Sequence, residues 1–263
     1  MSGLNWIRKV GAALGLSAAL LTGCSQPHRG DVMLAVATNF LATAEALEVE
    51  FEAETGLELV ISSGSTGQLY AQIDNGAPYD IFLAADRERP RRLVESGRAM
   101  SGTQFTYAVG QLVLWMPDGD AASFDGEVVL GQADFRALAM ANPDLAPYGA
   151  AARQVLTGLG LEEALAGKLV YGQNVGQAFA LVASGNAELG FVAASQLAQG
   201  ERAETGAIWR VPGELHEPIR QDLVLMRHAA ANQGALQFIN FLRSEKSQAI
   251  IRSYGYADIG PDA

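Results

Sequence analysis

Residues 32–37, VMLAVA, form an apolar run with no polar face, which gives way at once to Thr38 and Asn39 and then to a segment of helical period. A run of that kind suits a strand buried on both sides, and the residues after it suit a helix start. Phe40, Ala44, Leu47 and Phe51 recur at helical spacing, Glu45, Glu48, Glu52 and Glu54 fill the other face, and Gly56 stops the helix. The grammar then repeats. Residues 57–62 read as a strand and Thr66 to Asn75 as a helix. Tyr79 to Ala84 is a third strand, and Asp86 opens a helix ending near Gly97. Strand alternating with helix predicts an α/β fold with a parallel sheet covered on both faces, and in such sheets ligands sit beyond the carboxyl ends of the strands.

Farther along the pattern is weaker. Residues 133–141, 148–158 and 174–184 read as helices, and 189–193 and 208–211 as strands. GQLVLWMP (110–117) and QDLVLMRH (221–228) share a Leu-Val-Leu centre and bracket this middle region. They read as paired connections between two lobes, the alternative being two unrelated core strands. Residues 231–243 and 244–254 read as helices that pack back on the first lobe. The expected division is lobe 1 at 32–111 plus 225–263 and lobe 2 at 112–224.

Ahead of the domain, Arg8 and Lys9 precede an apolar run, residues 10–21, and then LTGC at 21–24. The run is short for a membrane span and has the length of a signal segment. LTGC resembles the lipobox of bacterial lipoproteins, which implies removal of residues 1–23 and a lipid on Cys24. That lipid would anchor an exported protein to a membrane at its periplasmic or extracytoplasmic face. Residues 24–31 read as a polar tether. Cys24 is the one cysteine in the sequence, so no internal disulfide or cysteine metal site is available. Loss of residues 1–23 removes two cations and no acid, taking the net charge from −11 to −13. An acidic surface argues against nucleic acid as a partner, and nothing in the chain points to an oligomer, so a monomer is expected.

Helix starts recur with one property in common. SSGSTG (62–67) lies where a strand becomes a helix, Pro147 stands at the start of the 148–158 segment, and Asn174 with Gln177 forms a capping pattern that leaves the Val175 amide free. No lysine or arginine occurs in 34–45, 60–76, 145–152 or 172–184, and no GK[ST] sequence is present. Leading helix amides carry partial positive charge and have no intrahelical partner. A neutral cradle of amides and hydroxyls suits a small, fully ionised oxyanion rather than a nucleotide, which would call for a cation and a metal. A serine hydrolase is disfavoured because Gly64-Ser65-Thr66-Gly67 is not a nucleophile elbow, and His28, His216 and His228 are scattered. The same scatter disfavours a metal cluster. Asp80 and Asp86 read as structural.

VMLAVATNF (32–40), SSGSTGQLYAQIDNGAPYDIFLAAD (62–86), LAPYG (145–149), QNVGQAFALVASGNAELGFV (173–192) and YGY (254–256) together resemble the periplasmic molybdate-binding proteins of bacterial ABC importers. The resemblance implies a two-lobed, type II-like periplasmic-binding-protein fold, each lobe a sheet flanked by helices, joined by two crossover strands. It implies molybdate or tungstate as ligand, no cofactor, no catalysis, and a membrane permease as partner; sulfate is the alternative tetrahedral ligand. Carried over by position, the ligand-binding residues are Thr38, Asn39, Ser65, Thr66, Tyr148 and the Val175 amide. The sequence departs from the family pattern at Ala193, where a tyrosine is frequent, and the phenol of Tyr148 is expected to replace it.

Overall fold

The computed structural model describes residues 31–198 and 206–260. The signal segment, Cys24 and all of the tether but Asp31 lie outside the described residues. Among the described residues no helix is long and apolar enough to cross a membrane.

The chain builds two five-stranded mixed sheets, each flanked by helices. The first part runs β1 (Val32–Ala37), α1 (Leu41–Thr55), β2 (Leu59–Gly64), α2 (Thr66–Asp74), β3 (Ile81–Leu83), α3 (Glu88–Glu95) and β4 (Phe105–Gly110). After Gln111 the chain enters the second sheet with β5 (Leu112–Met116), followed by α4 (Gly126–Gln132), β6 (Leu138–Ala141), α5 (Pro147–Gly158), α6 (Glu162–Leu165), β7 (Leu169–Gly172), α7 (Val175–Ala183), β8 (Leu189–Ala193) and β9 (Ala207–Arg210). It returns with β10 (Ile219–Leu225) and ends in α8 (Gln233–Leu242) and α9 (Glu245–Ser253).

Strand order is β2-β1-β3-β10-β4 in the first sheet and β7-β6-β8-β5-β9 in the second. In each, three adjacent strands pair in parallel, the fourth runs antiparallel to them, and the fifth pairs antiparallel with the fourth and so runs in the direction of the trio. The expected all-parallel sheet is thus a parallel trio with an antiparallel flank. The two Leu-Val-Leu segments hold the same fourth place, β5 in one sheet and β10 in the other, so each is a core strand buried on both faces. The crossings between sheets are Gln111 and residues 211–218. Strand β10 pairs with β3 and β4, so the return to the first sheet precedes the 224/225 boundary expected from the sequence.

Burial follows the sequence pattern where periodicity is strong. Phe40, Ala44, Leu47 and Phe51 are buried in the first core together with Phe238, Ile239, Leu242 and Ile251 of the two last helices. Residues 133–141 do not form the expected helix. Alanine, leucine and methionine favour helices in isolation, yet Leu138–Ala141 is fully buried between β7 and β8, where ladder pairing and burial outweigh a propensity of tenths of a kcal/mol.

Candidate functional site

Carboxyl ends of the parallel trios face each other. From the first sheet, β1 delivers Thr38 and Asn39, β2 delivers Ser65 and Thr66, and β3 leads to Ala85. From the second, β6 leads to Ala146–Tyr148 and β7 to Asn174 and Val175. These residues, with Ala37, Gly64 and Pro147, enclose a cavity of about 10 Å³ for the centre of a water-sized sphere. That is space for one compact species. None of the lining residues is charged. A wider groove of about 1050 Å³ on the far side of Ala85, Ala146 and Pro147 carries Arg87, Arg89, Arg91 and Arg220 against Asp86, Glu88, Glu217 and Asp222. Its charges cancel, and its size does not match a small ion.

All six residues singled out from the sequence line the cavity, and the structure distinguishes what each has to offer. The Thr66 hydroxyl accepts from the buried Ala85 amide at 3.1 Å, so its hydrogen is left to donate. Ser65 caps α2: its hydroxyl accepts from the Gln68 amide at 3.2 Å while the Gln68 side chain accepts from the Ser65 amide. The Ser65 hydrogen is likewise left. Thr38 differs, because its hydroxyl donates to the Gly64 carbonyl at 2.9 Å and thereby spends its hydrogen. The Asn39 side-chain amide is spent on Gln221 Oε1 at 2.9 Å and the Tyr256 hydroxyl at 3.2 Å. Both residues retain their backbone amides at the start of the 3-10 turn Thr38–Phe40, which no side chain caps.

The second lobe presents backbone. Helix α5 starts with an extended, uncapped Ala146 and Pro147 at the first helical place, so the Tyr148 amide stands at the open end. In α7 the Asn174 side chain accepts from the Gln177 amide at 2.9 Å, which leaves the Val175 amide without an intrahelical partner. The Tyr148 ring runs the other way. Its hydroxyl accepts from Gln221 Nε2 at 3.3 Å, beside Gly110 at the end of β4.

Beneath the cavity lies a polar network that sequence reasoning missed apart from Asn39 and Tyr148. The Asn39 carbonyl accepts from Ser195 and Tyr256 hydroxyls, each at 2.8 Å, and the Tyr107 hydroxyl is 3.1 Å from Gln221 Oε1. Burial pushes the Tyr148 and Tyr107 phenols well above their ordinary range and Tyr256 up to about 12. All three therefore remain neutral donors near pH 7. The sequence held no local signal for it: Gln221 stands between Arg220 and Asp222, ahead of the apolar run that starts at Leu223, and so reads as an exposed polar position although it is fully buried. Asp80 and Asp86 are structural, accepting from the Met33 amide at 2.8 Å and the Arg89 amide at 2.9 Å.

The lobes are closed over the cavity. Gly67 N donates to Leu145 O at 2.9 Å, Gln68 Nε2 to Gln173 Oε1 at 2.8 Å, and Arg89 Nη2 to Asp144 O at 3.2 Å. A small oxyanion held here would meet hydroxyls from one lobe and amides from both. Hydrogen bonds to a charged group contribute about 1.5–3 kcal/mol each.

Residues 32–257 match the family model described as bacterial extracellular solute-binding protein. The chain is 45% identical over 243 residues to the molybdate-binding protein ModA of Azotobacter vinelandii, covering 92% of this chain and 95% of that one. It is 43% identical over 239 residues to ModA of Rhodobacter capsulatus, covering 90% and 93%. Among solved structures, the periplasmic molybdate-binding protein of Azotobacter vinelandii superposes with a TM-score of 0.84 at 42% identity, covering 88% of this chain and 100% of that one.

Proposed function

The chain belongs to the bacterial extracellular solute-binding proteins, and from its kinship with the molybdate-binding members we propose that it captures molybdate between its lobes for delivery to an ABC importer. It is a binding protein and not an enzyme, molybdate is its cargo, and no cofactor is required. The observation that carries the reading is the uncharged cavity at which four helix starts from two lobes converge. A fully ionised tetrahedral anion needs only donors, and donors are what these residues have left. The relatives' kinship places the work in the periplasm.

In the proposal Thr38, Asn39, Tyr148 and Val175 bind through backbone amides, and Ser65 and Thr66 through hydroxyls. The Tyr148 phenol, turned toward Gly110 and Gln221 of the first lobe, takes no part as the substitute donor expected from the sequence. Tungstate, of the same shape and charge, is bound as well. The protein acts as a monomer, and a lipid on Cys24, supported by the LTGC sequence, holds it near its permease. Titration calorimetry with molybdate, tungstate, sulfate and phosphate at equal ionic strength tests the assignment. One-to-one binding of the first two, with no heat from sulfate, is the expected result; binding of sulfate alone, or of none, overturns it.

A further inference from the structure

Tyr148 has two ends that meet different parts of the molecule. Its backbone amide opens α5 at the cavity, while its ring leaves the second lobe and ends at Gly110 and Gln221 in the first. Those two residues stand at the crossings. Gly110 is the last residue of β4, directly before the crossing residue Gln111, and Gln221 lies just inside β10 after the return. Gly110 pairs with Ile219 across the β4–β10 ladder, so both exits from the first lobe are side by side at this spot.

The contact is close enough to require glycine. A Cβ at Gly110 would sit 2.1 Å from the Tyr148 hydroxyl, 2.9 Å from its ring carbon Cζ and 2.7 Å from Gln221 Nε2. The backbone at Gly110 has no positive φ, so space and not conformation is what its missing side chain provides. Gln221 is fully buried, and its amide is oriented from within the first lobe. Its oxygen faces Asn39 Nδ2 at 2.9 Å and the Tyr107 hydroxyl at 3.1 Å, which turns its NH2 toward Tyr148. Asn39 in turn carries one of the amides at the cavity. Closing the second lobe therefore seats the phenol over Gly110 and onto an amide already aligned with the site.

We propose that Gly110 and Gln221 are positioning residues for ion capture, a hinge clasp that receives the Tyr148 ring only in the closed form and so couples the occupied cavity to the angle between the lobes. The proposal rests on the oxyanion reading for its ligand. It assigns to two residues that do not line the cavity a share of the affinity, acting through Tyr148. Closed-state contacts of this kind shift the open–closed balance, and binding weakens by the factor through which the closed form is depleted.

The test is a double-mutant cycle of Gly110→Ala with Tyr148→Leu, read by molybdate titration, with the melting temperature of the ion-free proteins as a control for folding. Small-angle scattering with and without molybdate reports closure. Alanine at 110 is expected to weaken binding by about 10-fold or more with Tyr148 present and by less than about 3-fold once the ring is gone. Ion-induced compaction is expected to be reduced in Gly110→Ala alone. A second variant, Gln221→Met, keeps the glycine and removes the amide; it is expected to weaken binding less than the alanine variant and to show the same dependence on Tyr148. Equal losses in both backgrounds, or a Gly110→Ala protein that binds and compacts as the wild type does, overturns the clasp. A wild-type protein that closes on another ion and not on molybdate overturns the ligand assignment alone, because the cycle is then read with that ion.

Discussion

The two lobes have one topology and offer a ligand different sets of groups, hydroxyls with amides from the first and amides alone from the second. Each sheet carries a parallel trio, a Leu-Val-Leu strand antiparallel in fourth place, and a site at the carboxyl ends of the trio. Yet the first lobe brings hydroxyls already fixed by its own backbone, Ser65 in a capping box and Thr66 on the Ala85 amide. The second brings leading helix amides alone, Tyr148 behind a proline at an uncapped start and Val175 behind its cap Asn174. Side chains that are held in place before the ion arrives cost little ordering entropy on binding, and amides at a helix start cost less still. A neutral site can thus be strong if each donor is preorganised by something other than the ligand.

The sharpest way to break this comparison is to keep the lobes apart. A Cβ at Gly176 would lie 2.4 Å from Thr38 Cγ2, across the seam. Overpacking costs about 1–3 kcal/mol, so Gly176→Ala is expected to weaken molybdate binding roughly 5- to 140-fold at 1.4 kcal/mol per decade. The ion-free melting temperature should hardly move, and calorimetry reads both quantities. Undiminished affinity would show that the closed seam is not the binding state.

Next in size is Thr66→Val, which removes a donor and strands the buried Ala85 amide. The stranded group alone costs about 1–3 kcal/mol of stability, and each kcal/mol is worth about 2–4 °C in melting temperature. Affinity and stability are therefore both expected to fall. A fall in stability with affinity intact would return Thr66 to a purely structural role.

The two capping residues sharpen the contrast at smaller scale. Ser65→Ala and Asn174→Ala each lose a cap worth about 1 kcal/mol. Ser65 also gives up a hydroxyl hydrogen at the cavity, whereas Asn174 only holds the helix whose Val175 amide is proposed to bind. Similar melting temperatures with the larger affinity loss in Ser65→Ala is the expected pair of results, and equal affinity losses would erase the distinction between the lobes.

The smallest effect concerns pH. No charged side chain lines the cavity, and its three neighbouring tyrosines titrate above the neutral range, so affinity for a fully ionised anion is expected to be flat from about pH 7 to 9. Stability behaves differently at higher pH. Burial raises Tyr256 from its ordinary 10.0 to about 12, so the folded form holds its proton more tightly than the unfolded form. That contribution is fully present below pH 10 and is lost as pH rises through about 12. Melting temperatures measured across that window, in wild type and Tyr256→Phe, check the sign: the variant should lose less.

Local chemistry made much of this legible. The strands at 32–37 and 189–193 coincide with apolar runs, and the helix starts at Ser65 and Asn174 are announced by a capping residue with glutamine three places on. The six cavity residues were within reach because each follows such a strand or begins such a helix. What escaped was set by distance in the chain. Leu138–Ala141 has helix-forming residues and becomes a strand only because β7 and β8 flank it. The bond between Asn39 and Gln221 spans 182 residues, and neither residue carries a local mark of the other. The Leu-Val-Leu repeat was visible, but its meaning, an equivalent place in two sheets, depends on which strands lie beside it.

The placement of β10 also bears on the order in which the molecule can be completed. This strand lies between β3 and β4, although the whole second sheet separates it from them in the chain. Until residue 219 has emerged, the first sheet has an empty berth at its fourth place, with one edge of β3 exposed and β4 without a ladder partner. The second sheet has no such debt, since all its strands are present once β9 is made. In any folding order that follows the chain, the first lobe waits with open strand edges that invite pairing with other chains, while the second can be completed ahead of it. The lobe that begins the sequence is the one that finishes last.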